Sequence, residues 1–77
     1  MTVSLGDLKW WCTEKPEKPF LIVVCDTFDY TNYPVHCTLE ELPDEYDKFN
    51  EKNMQRVVGT YMKDGMLHCH RDGTPIR

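Results

Sequence analysis

The stretch "FLIVVCD", residues 20–26, contains the longest apolar run of the chain and decides how the chain folds. Its six consecutive apolar residues are rich in β-branched types and are bounded by Pro19 and Asp26. A run of this length and composition is typical of a strand that is buried on both faces. We therefore predict that residues 20–25 form the central strand of a sheet.

Upstream of this strand, Ser4 and Asp7 have the spacing of a helix-capping box. The following "LGDLKWWC" predicts a short helix whose apolar face, by 3.6-residue periodicity, comprises Leu5, Leu8, Trp11 and Cys12. Trp10 falls outside that face. A helix this short is marginal in isolation, so we expect it to dock on the sheet.

Downstream, the aspartates and aromatics of "DTFDYTNYP" predict a long turn over residues 26–34. A second strand follows at "YPVHCT", residues 33–38, where Pro34 favours the start of a strand or an edge position. Thr38 and Glu41 form another cap signal. Pro43 interrupts the next segment, which predicts a turn at 39–42 and a short helix at 44–51.

The segment "MQRVVGTYM", residues 54–62, predicts a third strand with Val58, Thr60 and Met62 on one face and Val57, Gly59 and Tyr61 on the other. Asp64-Gly65 is a strong hairpin signal, and "MLHCH", residues 66–70, is predicted to return as a further strand. Residues 1–77 therefore form a single α+β domain. A short N-terminal helix packs on a three- to four-stranded, mainly antiparallel sheet, with a short acidic helical insertion between strands 2 and 3.

Composition restricts the function. Hydrophobic residues make up 40% of the 77 residues and charged residues 29%, which is typical of a globular domain. No apolar segment approaches the length of a membrane span, and no secretory signal is evident, so we expect a cytoplasmic protein with free thiols. A net charge of −4 disfavours direct DNA binding and suits a partner with a basic surface.

The histidines raise the question of a metal site. In a strand at 66–70, His68 and His70 point to the same face, and His36 is a third ligand candidate for zinc. Structural zinc sites usually carry Cys-x-x-Cys pairs, which this chain lacks. We therefore expect no metal and no other cofactor, with Leu67 and Cys69 packed into the core and both histidines on a solvated face.

Enzymatic chemistry is disfavoured. A catalytic thiol needs an imidazolium or a helix N-terminus beside it, whereas His36 and Cys37 are strand neighbours that point to opposite faces. Paired catalytic carboxylates need one apolar environment that raises a pKa, and the acids here are clustered in a polar segment. We expect a non-enzymatic protein.

Two groups of residues are candidates for binding a partner. The first is a run of six acids within twelve positions: Glu40, Glu41, Asp44, Glu45, Asp47 and Glu51. The second consists of aromatics, because exposed Trp and Tyr are favoured anchors of interfaces. We expect one tryptophan to anchor the helix and the other, Trp10, to be exposed together with the loop tyrosines Tyr30 and Tyr33.

The order of "SLGDL", an apolar strand that ends in Asp, "TLEELPDEY", a strand, "DG" and a last short strand resembles small uncharacterised proteins carried by bacteriophages and prophages. The Trp pair and the Cys and His content differ from that pattern. Small acidic phage proteins include anti-CRISPR and other anti-defence inhibitors, which occupy surfaces of host defence machinery. The resemblance thus implies an inhibitor that binds a protein of a host defence system in the host cytoplasm.

Two other functions stay open at this stage: an oligomeric sponge for a nucleotide signal, and a small zinc-binding domain that uses His36, His68 and His70. The small size and the unpaired strand edges also favour a homodimer.

Overall fold

The computed structural model describes residues 4–52 and 54–76. In chain order its elements are α1 (Leu5–Thr13), β1 (Phe20–Asp26), β2 (Thr31–Cys37), α2 (Leu42–Phe49), β3 (Gln55–Met62), a 3₁₀ turn (Asp64–Met66) and β4 (Leu67–His68). The strands form one antiparallel sheet in the order β2-β1-β3-β4. The predicted α+β class, with an N-terminal helix on a four-stranded sheet, is confirmed.

Strand β1 is central, as its sequence predicts. It pairs with β2 on one edge and with β3 on the other. Its side chains alternate in direction and pack in two hydrophobic cores, one on each face of the sheet. The α1-side core contains Leu8, Leu21, Val23 and Tyr61. The α2-side core contains Phe20, Ile22, Val24, Cys37, Leu42 and Cys69.

Helix α1 begins as predicted, because the Ser4 hydroxyl accepts a hydrogen bond from the Asp7 amide at 3.2 Å. Leu8 is buried, but the expected burial of Leu5 is wrong, since 60% of its side chain is exposed. Leu5 is the first residue of α1, and the α1-side core includes Leu8, Trp11 and Cys12 of this helix but not Leu5. The other end of α1 is held by Lys63, whose ammonium donates to the carbonyls of Glu14 at 2.8 Å and Lys15 at 3.0 Å.

Helix α2 begins two residues earlier than predicted. Pro43 occupies the first turn, where the missing N–H has no intrahelical partner to lose, so the proline starts the helix rather than preceding it. Thr38 and Glu41 form the reciprocal pair that the cap signal predicts: the Thr38 amide donates to the Glu41 carboxylate at 2.9 Å, and the Glu41 amide donates to the Thr38 hydroxyl at 3.3 Å. The pair closes the turn ahead of α2, whose own N-cap is Glu41, so Thr38 does not cap the helix.

Strand β3 contains a β-bulge that the strict alternation of the sequence does not anticipate. Val23 of β1 pairs with Gly59 and the next residue, Val24, pairs with Val57, so Val58 is an extra residue between them. The bulge exchanges the predicted faces of the two valines at the start of β3. Val57 now packs in the α2-side core and Val58 in the α1-side core.

Strand β4 is shorter than the predicted strand at 66–70. Positive φ angles at Gly65 and Met66 turn the chain. The Cys69 amide still donates to the Thr60 carbonyl of β3 at 2.9 Å, and the chain then curls so that Cys69 bridges to Pro75. Cys69 is buried as predicted, whereas the predicted burial of Leu67 is wrong: 54% of it is exposed at the outer edge of the sheet.

Candidate functional site

The turn between β1 and β2, residues 27–30, is tightly closed and tied to the start of β3. The Tyr30 amide donates to the Asp26 carbonyl at 2.7 Å, and the Phe28 amide donates to the Asp26 carboxylate at 2.9 Å. Both the amide and the hydroxyl of Thr27 donate to the Met54 carbonyl, each at 2.7 Å. The turn predicted over 26–34 is therefore shorter, because β2 already begins at Thr31.

Three large apolar side chains project from this end of the sheet. Phe28 is 76% exposed, Tyr30 63% and Met54 59%, and we call these three residues the apolar tip. Tyr30 and Met54 have φ angles of 60° and 59°, a region that bulky residues rarely adopt. Asp29 also helps to hold the turn. Its carboxylate accepts hydrogen bonds from the side chain and the amide of Thr31, which lower the pKa of Asp29.

The six acids predicted to bind a partner divide into three groups. Glu41 and Asp47 are engaged within the protein: the Glu41 carboxylate lies 2.7 Å from the Lys18 ammonium, and Asp47 is bound by the Arg71 guanidinium through contacts of 2.6 and 3.1 Å. The hydrogen bonds from Lys18 and the Thr38 amide lower the pKa of Glu41. Glu45 is half-buried.

The remaining acids, Glu40, Asp44 and Glu51, are exposed and form no ion pair among residues 4–52 and 54–76. We call these three residues the acidic stripe. Asp44 lies on α2, opposite the side that packs on the sheet through Leu42, Tyr46 and Phe49. Glu40 and Glu51 flank the two ends of the helix.

The chain segment after α2 runs toward the turn that carries the apolar tip. The C-terminal end of α2 lies over Tyr33, whose ring contacts Phe49 edge to face with centroids 6.3 Å apart. After α2 the chain reaches Gln55, which pairs with Asp26 next to the turn that carries the tip. Glu51 therefore lies in the chain between α2 and Met54 of the tip, with the exposed Lys48 and Lys52 on either side of it in sequence.

The other predicted aromatics lie elsewhere. Tyr33 is half-buried in the α2-side core, and its hydroxyl accepts a hydrogen bond from the Gln55 side chain, so it does not project as an anchor. Trp10 is 67% exposed and Trp11 packs in the α1-side core, which fits the expectation of one exposed and one anchoring tryptophan. Because α1 and α2 cover opposite faces of the sheet, Trp10 does not lie beside the acidic stripe.

The three histidines are not brought together. His36 lies on β2 and His68 on β4, which are the two outer strands of the sheet. Three strand spacings, about 14 Å, separate such strands, and one zinc ion holds ligands at about 2 Å. Within the described part of the chain, no group of three or more His, Cys, Asp or Glu residues has the geometry to hold a metal ion.

The cysteine thiols lie in environments that suppress reactivity. Cys25, Cys37 and Cys69 are buried, and burial raises the pKa of Cys37 to about 12. Cys12 is half-buried, and its pKa is also raised by burial despite the nearby Lys63. Burial together with Lys63 lowers the pKa of His36, which disfavours the imidazolium that a thiolate would need.

Comparison with known protein families, curated proteins and solved structures finds no match for this chain. None of the described helices has the length and apolar character needed to cross a membrane. The candidate site therefore rests on its own geometry. Of its residues, Phe28 and Met54 were not among those that the sequence predicted to bind a partner. Phe28 lies in the aromatic, aspartate-rich turn beside Tyr30, whereas no local pattern singles out Met54.

Proposed function

We propose that this chain is a non-enzymatic interaction protein that binds a basic surface of a protein partner. The observation that carries the proposal is the apolar tip: Phe28, Tyr30 and Met54 are large and exposed at one end of the sheet, and the exposed Glu51 precedes Met54 closely in the chain. Exposed aromatic and methionine side chains supply the contact area that dominates binding energy at interfaces. The flanking carboxylates accelerate the encounter with a basic partner and orient it.

The partner class follows from the resemblance to small acidic phage proteins. We propose a component of a bacterial defence system, with a nucleic-acid-binding groove of a nuclease as the basic surface. Carboxylates spaced along a helix can replace phosphates in such a groove, because both present negative oxygens to Lys and Arg. The chain would then inhibit the nuclease by occupying the groove.

The test is a charge reversal within the acidic stripe. The chain is expressed in bacterial hosts that each carry one nuclease-based defence system, and the plating efficiency of a sensitive phage is measured. We expect the chain to raise plating in at least one host. The triple variant Glu40→Lys, Asp44→Lys and Glu51→Lys should abolish this effect and leave the circular dichroism spectrum unchanged, since all three side chains are exposed.

The matched control reverses three exposed acids outside the stripe: Asp7→Lys, Glu17→Lys and Asp64→Lys. It has the same net charge as the stripe variant, so a difference between the two reports position rather than total charge. Inhibition that survives in the stripe variant would contradict the acidic mechanism. The absence of any plating effect in all hosts would contradict the assignment of the partner to a defence system.

A further inference from the structure

The outer edge of β3 is open over half its length. Strand β4 pairs only with Tyr61 and Met62, and the Cys69 amide adds one bond of 2.9 Å to the Thr60 carbonyl. Beyond that point, residues 56–59 have no backbone hydrogen bond on this edge within residues 4–52 and 54–76. Four residues of strand leave about 13 Å of unpaired peptide groups.

A cleft of about 450 Å³ lies along this open edge. Its floor is β3 from Val57 to Thr60, and its walls include Tyr46 of α2 and Ile76. Thr60 is only 5% exposed, and its hydroxyl oxygen has no hydrogen-bond partner among the described residues.

The other outer strand, β2, is protected. Pro34 lies in its middle and offers no amide hydrogen to a further strand. The open part of β3 contains Val57, Val58 and Gly59 instead, and nothing in that sequence blocks pairing. An incoming strand therefore finds its hydrogen-bonding partners at β3 rather than at β2.

The charges around the cleft indicate what the incoming strand carries. The chain has a net charge of −4, but Arg56 is an exposed residue of the open edge and forms no ion pair among the described residues. The cleft lining also includes Arg71, which pairs with Asp47, and His70, which lies near Asp72. An extended peptide with acidic side chains complements the unpaired Arg56.

We propose that the open edge of β3 binds an extended peptide of a partner protein, with alternating apolar and acidic side chains, as an added strand. The peptide backbone bonds to residues 56–59, its apolar side chains contact Val57, Tyr46 and Ile76, and its acids lie near Arg56 and His70. This site has the opposite charge preference from the acidic stripe and is independent of it.

The probe is a fluorescent octapeptide, capped at both ends, that alternates valine and glutamate. We expect saturable binding by fluorescence anisotropy, with ¹⁵N amide shifts concentrated at residues 56–60. Two further peptides carry N-methyl groups on every second amide, one on the odd-numbered and one on the even-numbered amides. One of the two should bind at least tenfold more weakly than the unmethylated peptide, because an added strand depends on its backbone hydrogen bonds. A valine-lysine peptide should also bind at least tenfold more weakly.

On the protein, the double variant Arg56→Glu and His70→Glu should weaken binding about tenfold. The control, Lys9→Glu and Lys15→Glu, makes a larger change in net charge away from the cleft and should change affinity less than twofold. Equal binding of all peptides, shifts centred on another surface, or no shift at millimolar peptide would overturn the proposal. Amide shifts at residues 56–60 that appear on concentrating the protein alone would assign the edge to a second copy of this chain and overturn it as well.

Discussion

At the residue scale, Tyr30 and Met54 adopt left-handed backbone conformations although each has a large side chain. Left-handed backbone costs an L-residue with a Cβ about 1–2 kcal/mol, which is why Gly and Asn usually occupy such positions. Burial of the Tyr30 ring does not compensate for this cost, since 63% of the residue is exposed. The backbone strain at Tyr30 is therefore not offset by burial of its ring.

Replacing Tyr30 by Asn should therefore stabilise the fold and weaken the interaction. We expect the free energy of unfolding, from urea denaturation, to rise by about 0.5–1 kcal/mol, because Asn tolerates the left-handed region. The control is Phe28→Asn, in the same turn with an ordinary φ, which should change stability by about 0.5 kcal/mol or less. A loss of stability in Tyr30→Asn would mean that the ring packs on the protein.

At the scale of elements, α1 contacts the sheet through a narrower face than its periodicity predicts. Leu8 is 8% exposed, whereas Leu5, one turn earlier, is 60% exposed. The helix is held at its two ends by local and long-range hydrogen bonds, from the Ser4 cap and from Lys63. Its burial therefore depends on Leu8 and on the partly buried Trp11 and Cys12.

The two leucines provide a matched pair of substitutions in one helix. Leu8→Ala should lower the free energy of unfolding by about 2–3 kcal/mol, because it removes buried methyl groups and leaves a cavity. Leu5→Ala should lower it by about 0.5 kcal/mol or less, since the side chain is exposed and Ala favours helix. Equal losses in urea denaturation would mean that α1 is rotated relative to the orientation described above.

At the scale of the whole molecule, β1 joins the two hydrophobic cores. Phe20, Ile22 and Val24 belong to the α2-side core, while Leu21 and Val23 belong to the α1-side core. Because β1 contributes side chains to both cores, a loss of β1 from one core also removes it from the other. A domain of this size also buries too little surface for two independent units.

We therefore expect a single unfolding transition. Tryptophan fluorescence reports α1, which carries both Trp10 and Trp11, whereas far-UV circular dichroism reports all elements. The two signals should change at the same urea concentration, and the coincidence should persist when Leu8→Ala or Leu42→Ala shifts the midpoint. A fluorescence transition at lower urea than the dichroism transition would show that α1 separates from the sheet first.

Among the candidate site residues, the sequence identified Tyr30, Glu40, Asp44 and Glu51, all of which are exposed. It did not anticipate that Glu41 and Asp47 are engaged by Lys18 and Arg71, because those partners lie 23 and 24 positions away. Nor did it indicate that Met54 reaches the turn that carries Phe28. A local sequence pattern does not reveal contacts between segments so far apart in the chain.

The features that depend on neighbours a few residues away could be predicted from the sequence alone. Six consecutive apolar residues require cover on both faces, so β1 is central wherever its partners come from, and the cap at Ser4 and the turn at Thr38 are closed by hydrogen bonds over three positions. The bulge at Val58, the exposure of Leu67 and the position of Met54 beside the turn that carries Phe28 depend on the tertiary structure. These features depend on strand register and helix docking. Both are determined by the summed energies of many contacts between segments that are distant in the chain, which a local sequence pattern does not reveal.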